Sequence, residues 1–375
     1  MKNILFINHS GTLHGAETVL IELLSQVSSK NGEYKTFVVY NKLIKSKIFA
    51  DKVSTLPISS IIGTSFRFLG GSNFRNIAVL IYNIFACIRV ITFILRNKID
   101  IVYSNTSVNP LGIVCAILTN KRHIWHFHEP VDVSYGLTKT TNKYYKWLLR
   151  YKKNTIVFIA NNQKTDWEAN LNITLQNQIL IYNPIKKIKK NEKTKELLNT
   201  IVFGFIGSLE TRKNVPLLIR TFALLEKQYP EKSIKLQITG HGDEQENIKK
   251  LLLEVGIKNV EMSDYCYETN SFYSNIDVLV LPSFSEMMPL VALEAMSVEK
   301  ATIMTKHTGF YEILENNIDC IYINPESESD LYNAMEKLLL DTAFRTQLAK
   351  NGFEKVHKID FNKRFHSSFD KLFKS

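Results

Sequence analysis

Apolar residues in this chain gather in short runs, and the runs come in two cycles. Residues 2–8 (KNILFIN) are apolar and close on a polar residue, the pattern of a parallel strand buried on both faces. A glycine-bearing loop follows over 9–15, and from 16 to 27 apolar residues recur at helical spacing. The alternation continues. Strands are predicted at 36–40, 99–104 (IDIVYS), 123–127 (HIWHF) and 155–160 (TIVFIA), with helical stretches between them. Asn183-Pro184 ends a strand, because proline cannot donate to a ladder. The lysine-rich stretch 186–195 then reads as a linker, after which the cycle restarts. Strands at 201–206, 234–239, 277–281 and 301–305 alternate with helices at 215–229, 244–254 and 289–298. Such alternation predicts doubly wound parallel sheets. Two cycles in 375 residues predict two domains. Ligands are expected in the cleft between them, beyond the carboxyl ends of the strands.

Residues 78–95 (AVLIYNIFACIRVITFIL) depart from this rhythm, being apolar on all sides. The run reaches spanning length only at its lower limit and carries Asn83 and Arg89, so a transmembrane helix is disfavoured. A buried helix is the first expectation. A helix lying on a membrane is the second, since Phe74 to Arg96 holds Arg75, Arg89 and Arg96, with Lys42, Lys45 and Lys47 nearby in sequence.

Hydrophobic residues at 45% and charged residues at 22% indicate a folded protein rather than a disordered one. The net charge of +11 is spread along the chain. It is compatible with attraction to nucleotide phosphates, nucleic acid or an anionic lipid surface, and equally with a composition rich in lysine throughout. The lack of an ordered aromatic platform sets nucleic acid aside. Cys87, Cys115, Cys266 and Cys320 are far apart and form no C-x-x-C pair, so neither a disulfide frame nor a zinc site is suggested. Together with an N-terminal apolar run too short for a signal peptide, this predicts a cytoplasmic protein.

Among candidate chemistry, Glu286 and Glu294 stand out, eight positions apart. Glu286 lies in the loop after a predicted strand and Glu294 within the next helix. Free N–H groups at the start of that helix, at Met288, Leu290 and Val291 on either side of Pro289, which lacks one, would favour an anion such as a diphosphate. Proline is expected at the first helical position. The alternative is an ordinary helix with an acidic first turn and Glu294 on a solvated face.

This segment, with Leu281-Pro282-Ser283 before it, resembles the E-x-x-x-x-x-x-x-E signature of retaining glycosyltransferases of the GT-B fold, family 4. Other family-like pieces follow in order: Gly15-Ala16-Glu17, His126-Phe127-His128-Glu129-Pro130, Tyr182-Asn183-Pro184, Gly207-Ser208-Leu209 with Arg212-Lys213-Asn214, Thr239-Gly240-His241-Gly242, and Thr308 to Glu312. Ser208 stands where the family often has arginine, and Met287-Met288-Pro289 where it has Gly-Phe-Gly.

The resemblance implies an α/β chain of GT-B architecture. An acceptor-binding Rossmann-like domain would occupy 1–185, a nucleotide-sugar domain 186–355, and a C-terminal helix, 356–375, would cross back to the first domain. It implies sugar transfer from a nucleotide diphosphate, UDP or GDP, to a glycan or lipid-linked acceptor, with no metal and no further cofactor. Lys213 and Arg212 would neutralise the departing diphosphate, Glu286 would hold hydroxyls of the donor sugar, and Glu294 the ribose. His128 would face the sugar; otherwise it is a core histidine at a strand end. Gly15, Ser208 and Gly240 would line the donor, Gly15 being otherwise a plain helix-entry glycine. No acceptor-binding residue is legible. Two alternatives share the fold: a nucleotide-sugar epimerase and a non-catalytic nucleotide or glycan binder.

Overall fold

A computed structural model describes residues 1–30, 32–43, 46–67, 73–131, 139–264 and 269–375, without the side chains of 73, 74, 139 and 140. Lys45, Cys266 and the Phe74 side chain lie outside the described residues. The chain divides into two compact units, one of Met1–Pro184 with Lys363–Ser375, the other of Ile185–Asn362.

The first unit runs β1 (Lys2–Asn8), α1 (Gly15–Ser28), β2 (Tyr34–Asn41), α2 (Ile48–Ser54), β3 (Ser60–Thr64), α3 (Asn73–Arg96) and β4 (Ile101–Asn105). It continues with α4 (Leu111–Leu118), β5 (Arg122–His126), α5 (Lys139–Leu149), β6 (Asn154–Phe158), α6 (Asn161–Leu171) and β7 (Gln178–Leu180). Its seven strands are ordered β3-β2-β1-β4-β5-β6-β7, and every pairing is parallel. Strands buried on both faces explain the unbroken apolar runs: Ile4, Leu5, Phe6 and Ile7 have no exposed surface. The strand order reverses between β1 and β4, so the loops after these two strands border the crevice where doubly wound sheets bind ligands.

The second unit contains β8 (Ile201–Ile206), α7 (Val215–Gln228), β9 (Ile234–Thr239), α8 (Gln245–Val255), β10 (Val260–Ser263), α9 (Asn270–Asn275) and β11 (Val278–Leu281). Then come α10 (Leu290–Ser297), β12 (Ala301–Thr305), β13 (Ile321–Ile323), α11 (Glu328–Leu340) and α12 (Thr342–Ile359). Its parallel sheet is ordered β10-β9-β8-β11-β12-β13, reversing between β8 and β11. The last helix, α13 (Phe361–Lys374), lays an aromatic stripe on the first unit. Phe369 meets Tyr103 and His126, with ring centroids 6.1 and 5.4 Å apart, and Phe373 meets Phe6 at 6.1 Å.

Three expectations need correction. Residues 186–195 are not a free tether: the Lys189 amide donates to Asn270 Oδ1, Lys190 pairs with Glu299, and Lys193 Nζ donates to Asp277 Oδ2 at 2.5 Å. Helix α10 begins at Leu290, so Pro289 caps it in an extended conformation rather than occupying its first turn. The apolar run at 78–95 is not a buried helix. One face of α3 packs into the core, while Ile77, Ile81, Ile84, Phe85 and Ile88 stand exposed.

Candidate functional site

In the second unit the motif loops follow four adjacent strands, β9, β8, β11 and β12, and therefore emerge on one side of the sheet. The loop after β8 bends through a single helical turn at Thr211–Lys213 and ends on Asn214, whose φ of 53° lies in the left-handed region that asparagine tolerates. Asn214 Nδ2 donates to the Pro325 carbonyl at 2.8 Å, which pins the loop's exit. The turns after β8 and β9 lie against each other through glycine. A Cβ on Gly240 would stand 2.1 Å from the Gly207 carbonyl oxygen, and one on Gly242 would stand 2.4 Å from that of Leu209. The Gly207 and Leu209 amides donate to the Thr239 and His241 carbonyls at 3.0 Å each. Ser208, between them, is partly exposed.

Lys213 and Arg212 converge on Glu286 from this frame. Lys213 Nζ lies 2.5 Å from Glu286 Oε1, and Arg212 Nη1 lies 3.4 Å from Oε2. Ser283 Oγ donates to Oε1 at 2.9 Å. Arg212 Nη1 also donates to the Ser285 carbonyl at 2.9 Å, and the Phe284 amide donates to the Arg212 carbonyl at 2.9 Å. Two loops from neighbouring strands are thereby tied together. A third joins them after β12, where the Glu286 amide donates to the His307 carbonyl at 2.9 Å and the Gly309 amide to the Met287 carbonyl at 2.8 Å. Glu286 is buried, which disfavours its charged form. The two cations and the hydrogen bonds from Lys213 and Ser283 outweigh burial and hold its carboxyl below the usual range.

Glu294 lies on the same helix that follows this loop but is not on a solvated face: it is 7% exposed. Tyr273 of α9 donates its phenol proton to Glu294 Oε2 at 2.7 Å. Burial pushes the Glu294 carboxyl up, against that hydrogen bond and the nearby Lys186. The residue pattern carried no sign of Tyr273, which reaches Glu294 only through the packing of α9 on α10. Met288 is buried, Pro289 caps α10, and the amides of Leu290 and Val291 open its first turn, where intrahelical bonding leaves N–H groups without partners in the helix.

His128, Gly15 and their neighbours belong to the first unit. His128 follows β5 and is partly buried. Its Nε2 lies 3.0 Å from Asn105 Oδ1, while Asn105 Nδ2 donates to Asn8 Oδ1 at 3.0 Å, and Asn8 Nδ2 to the Ser10 carbonyl at 2.8 Å. This chain of amides sets the tautomer: Nε2 of His128 carries the proton and Nδ1 is left as an acceptor. Burial, with His9 nearby, pushes the imidazole down to about 3, so it is neutral at neutral pH. Glu129 Oε2 accepts from the Ser107 amide at 2.9 Å and from Ser107 Oγ at 2.8 Å. Gly15 is the exposed first residue of α1, preceded by His14. The stronger feature of that motif is Glu17: fully buried, it accepts from the His14 amide at 3.1 Å and lies 3.1 Å from His9 Nδ1. The sequence alone did not mark the His9–Glu17 pair, since the two residues meet only through the turn between β1 and α1.

Residues 186–355 match the family model described as glycosyl transferases group 1. An uncharacterized glycosyltransferase of Methanocaldococcus jannaschii is 25% identical over 205 residues, 54% of this chain and 50% of that protein. The capsular polysaccharide biosynthesis glycosyltransferase CapM of Staphylococcus aureus is 27% identical over 172 residues, 45% of this chain and 44% of CapM. The chain thus spans about half the length of these curated relatives. Anabaena HepE, solved in complex with UDP and glucose, superposes with a TM-score of 0.82 at 18% identity over 100% of both chains, a likeness of fold. The two parallel α/β units are those of GT-B glycosyltransferase structures.

Proposed function

We propose, for a chain whose residues 186–355 match the model of the glycosyl transferases group 1, a retaining transfer of a sugar from a nucleotide diphosphate to an acceptor hydroxyl. The convergence of Lys213 and Arg212 on a buried Glu286 at the strand-order reversal of the second unit carries this reading. Cleaving a sugar–phosphate bond builds negative charge on the diphosphate and positive charge on the sugar ring. Two cations beside the first turn of α10 suit the diphosphate. A carboxylate held ionised beside them suits hydroxyls of the sugar. Glu294, joined to Tyr273, takes the ribose. The first unit takes the acceptor and supplies His128, whose neutral ring offers Nδ1 to a hydroxyl. The departing phosphate oxygen assists in removing the acceptor's proton, so no carboxylate acts as nucleophile and no metal is needed. UDP is the first nucleotide to test, since HepE was solved with it, and CapM's role in capsular polysaccharide synthesis supports a glycan acceptor; a lipid-linked acceptor at the inner face of the membrane is the form we propose for it.

The test is a thermal-shift and hydrolysis screen against nucleotide diphosphates and their sugars, with and without EDTA, followed by NMR assignment of the product's anomeric configuration. Stabilisation by one nucleotide sugar, slow hydrolysis insensitive to EDTA and a retained anomer are expected. A new sugar epimer without transfer would replace this reading with an epimerase, and no response to any nucleotide would replace it with a non-catalytic binder.

A further inference from the structure

Helix α3 is apolar on two opposite faces. At about 100° per residue, positions 79, 86, 90 and 94 cluster on one side and positions 77, 81, 84 and 88 on the other, about 160° away. The first set is core: Val79, Ala86, Val90 and Ile94 are buried, the last three against Val102, Cys115 and the strands β1 and β2. The second set faces outward, Ile81 being 59% exposed, and Phe85, beside it on the arginine-bearing flank, is 78% exposed. A helix with a single buried face ordinarily turns polar residues to water. This one turns isoleucines and a phenylalanine, and its 24 residues include three arginines and no acid.

The charged residues are placed at the edge of that outer face. Arg75, Arg89 and Arg96 fall about 80–140° round from its centre, along one flank. Arg67 stands over the Tyr82 ring at 4.9 Å on the same side. The other flank holds Cys87, near which lies Tyr144 of α5, and Tyr144 stacks on the exposed Trp147 at 6.2 Å. An apolar ridge bordered by arginines on one side and by an aromatic pair on the other matches the layers of a bilayer surface: acyl chains, the aromatic interfacial zone and anionic headgroups. Because the opposite face of α3 is core, the helix can lie in the interface but cannot cross the membrane without unfolding the unit.

We infer that the outer face of α3 seats this chain on an anionic lipid leaflet. The inference stands apart from the sugar-transfer reading, since it uses none of that site's residues. It is tested by sedimenting the full chain with phosphatidylglycerol-containing vesicles and with neutral phosphatidylcholine vesicles. The unaltered chain is expected to sediment with the anionic vesicles. The variant carrying Ile81→Glu and Phe85→Glu is expected to lose at least about tenfold in partitioning, because it places two charges where apolar surface enters the bilayer. Arg89→Gln and Arg96→Gln are each expected to lose about fivefold on anionic vesicles and little on neutral ones. These positions are exposed, so unchanged melting and far-UV circular dichroism keep the comparison free of unfolding. Equal binding by the double variant would overturn the inference. So would an unaltered chain that stays in the supernatant, whether monomeric or as a dimer that the double variant dissociates; the dimer would assign the face to a second copy instead.

Discussion

Replacing Glu286 with glutamine separates two functions that a simple deletion would blur. Glutamine keeps the shape and an acceptor for Ser283 and Lys213 but removes the charge between Lys213 and Arg212. In the unliganded chain the carboxylate competes with any phosphate for those cations. If Lys213 reaches a phosphate oxygen at hydrogen-bond distance, the phosphate charge stands about 6 Å from the Glu286 carboxylate. Two unit charges at that separation and an effective dielectric of about 20 repel by about 3 kcal/mol. The partly exposed Arg212 and salt screening reduce this to about 1–2 kcal/mol. Glu286→Gln is therefore expected to bind the nucleoside diphosphate about five- to thirtyfold more tightly. It should also lose the charged hydrogen bonds to the donor sugar, about 2–3 kcal/mol, and so turn over about a hundredfold more slowly. Calorimetric titration with the diphosphate and steady-state turnover of the nucleotide sugar read the two effects separately. The partly buried cations left behind should cost about 1–3 kcal/mol of stability, so both assays belong well below the variant's melting temperature. Diphosphate affinity that falls together with turnover would show that Glu286 serves the nucleotide. Turnover equal to that of the unaltered chain would remove Glu286 from the site altogether.

Further expectations concern the frame and its titration. Gly240→Ala drives a methyl to 2.1 Å from the Gly207 carbonyl and should cost about 2–3 kcal/mol in urea denaturation; a loss under about 0.5 kcal/mol would mean the two turns are not packed as described. Tyr273→Phe removes the phenol proton from Glu294 Oε2 and should weaken nucleotide binding severalfold with kcat little changed, whereas a pure kcat effect would contradict the ribose role. His123 is wholly buried between Ser104 Oγ at 2.9 Å and Asn154 Oδ1 at 2.7 Å, and burial pushes its imidazole down to about 3. Its depressed value means the unfolded chain takes up the proton first, below about pH 6.5. The His123 contribution to stability is then full above pH 6.5 and falls on acidification by about 1.4 kcal/mol per pH unit towards pH 3, in addition to that of the similarly depressed His126 and His128. His123→Gln should flatten that slope in a series of urea melts, and an unchanged slope would refute the assignment.

Much of the scaffold was written in local pattern. The run 2–8 is the strand β1 to the residue, because a strand buried on both faces needs an unbroken apolar string and nothing else in the chain supplies one so early. The glycines at 240 and 242 and the glutamates at 286 and 294 were visible for the same reason: backbone crowding and paired carboxylates leave fixed residue types at fixed spacing. Strands β3, β10 and β13 were not legible, since runs of five, four and three residues carry too little periodicity to rise above the loops around them. Tertiary structure alone decided which partners the site residues have. Glu286 meets Lys213 across 73 positions and Tyr273 meets Glu294 across 21, distances that only strand order and helix packing close. It also decided the face of α3. A helix apolar on two opposite faces does not show in its own sequence which of them is inside; the core beneath it takes one face, and the other is turned outward.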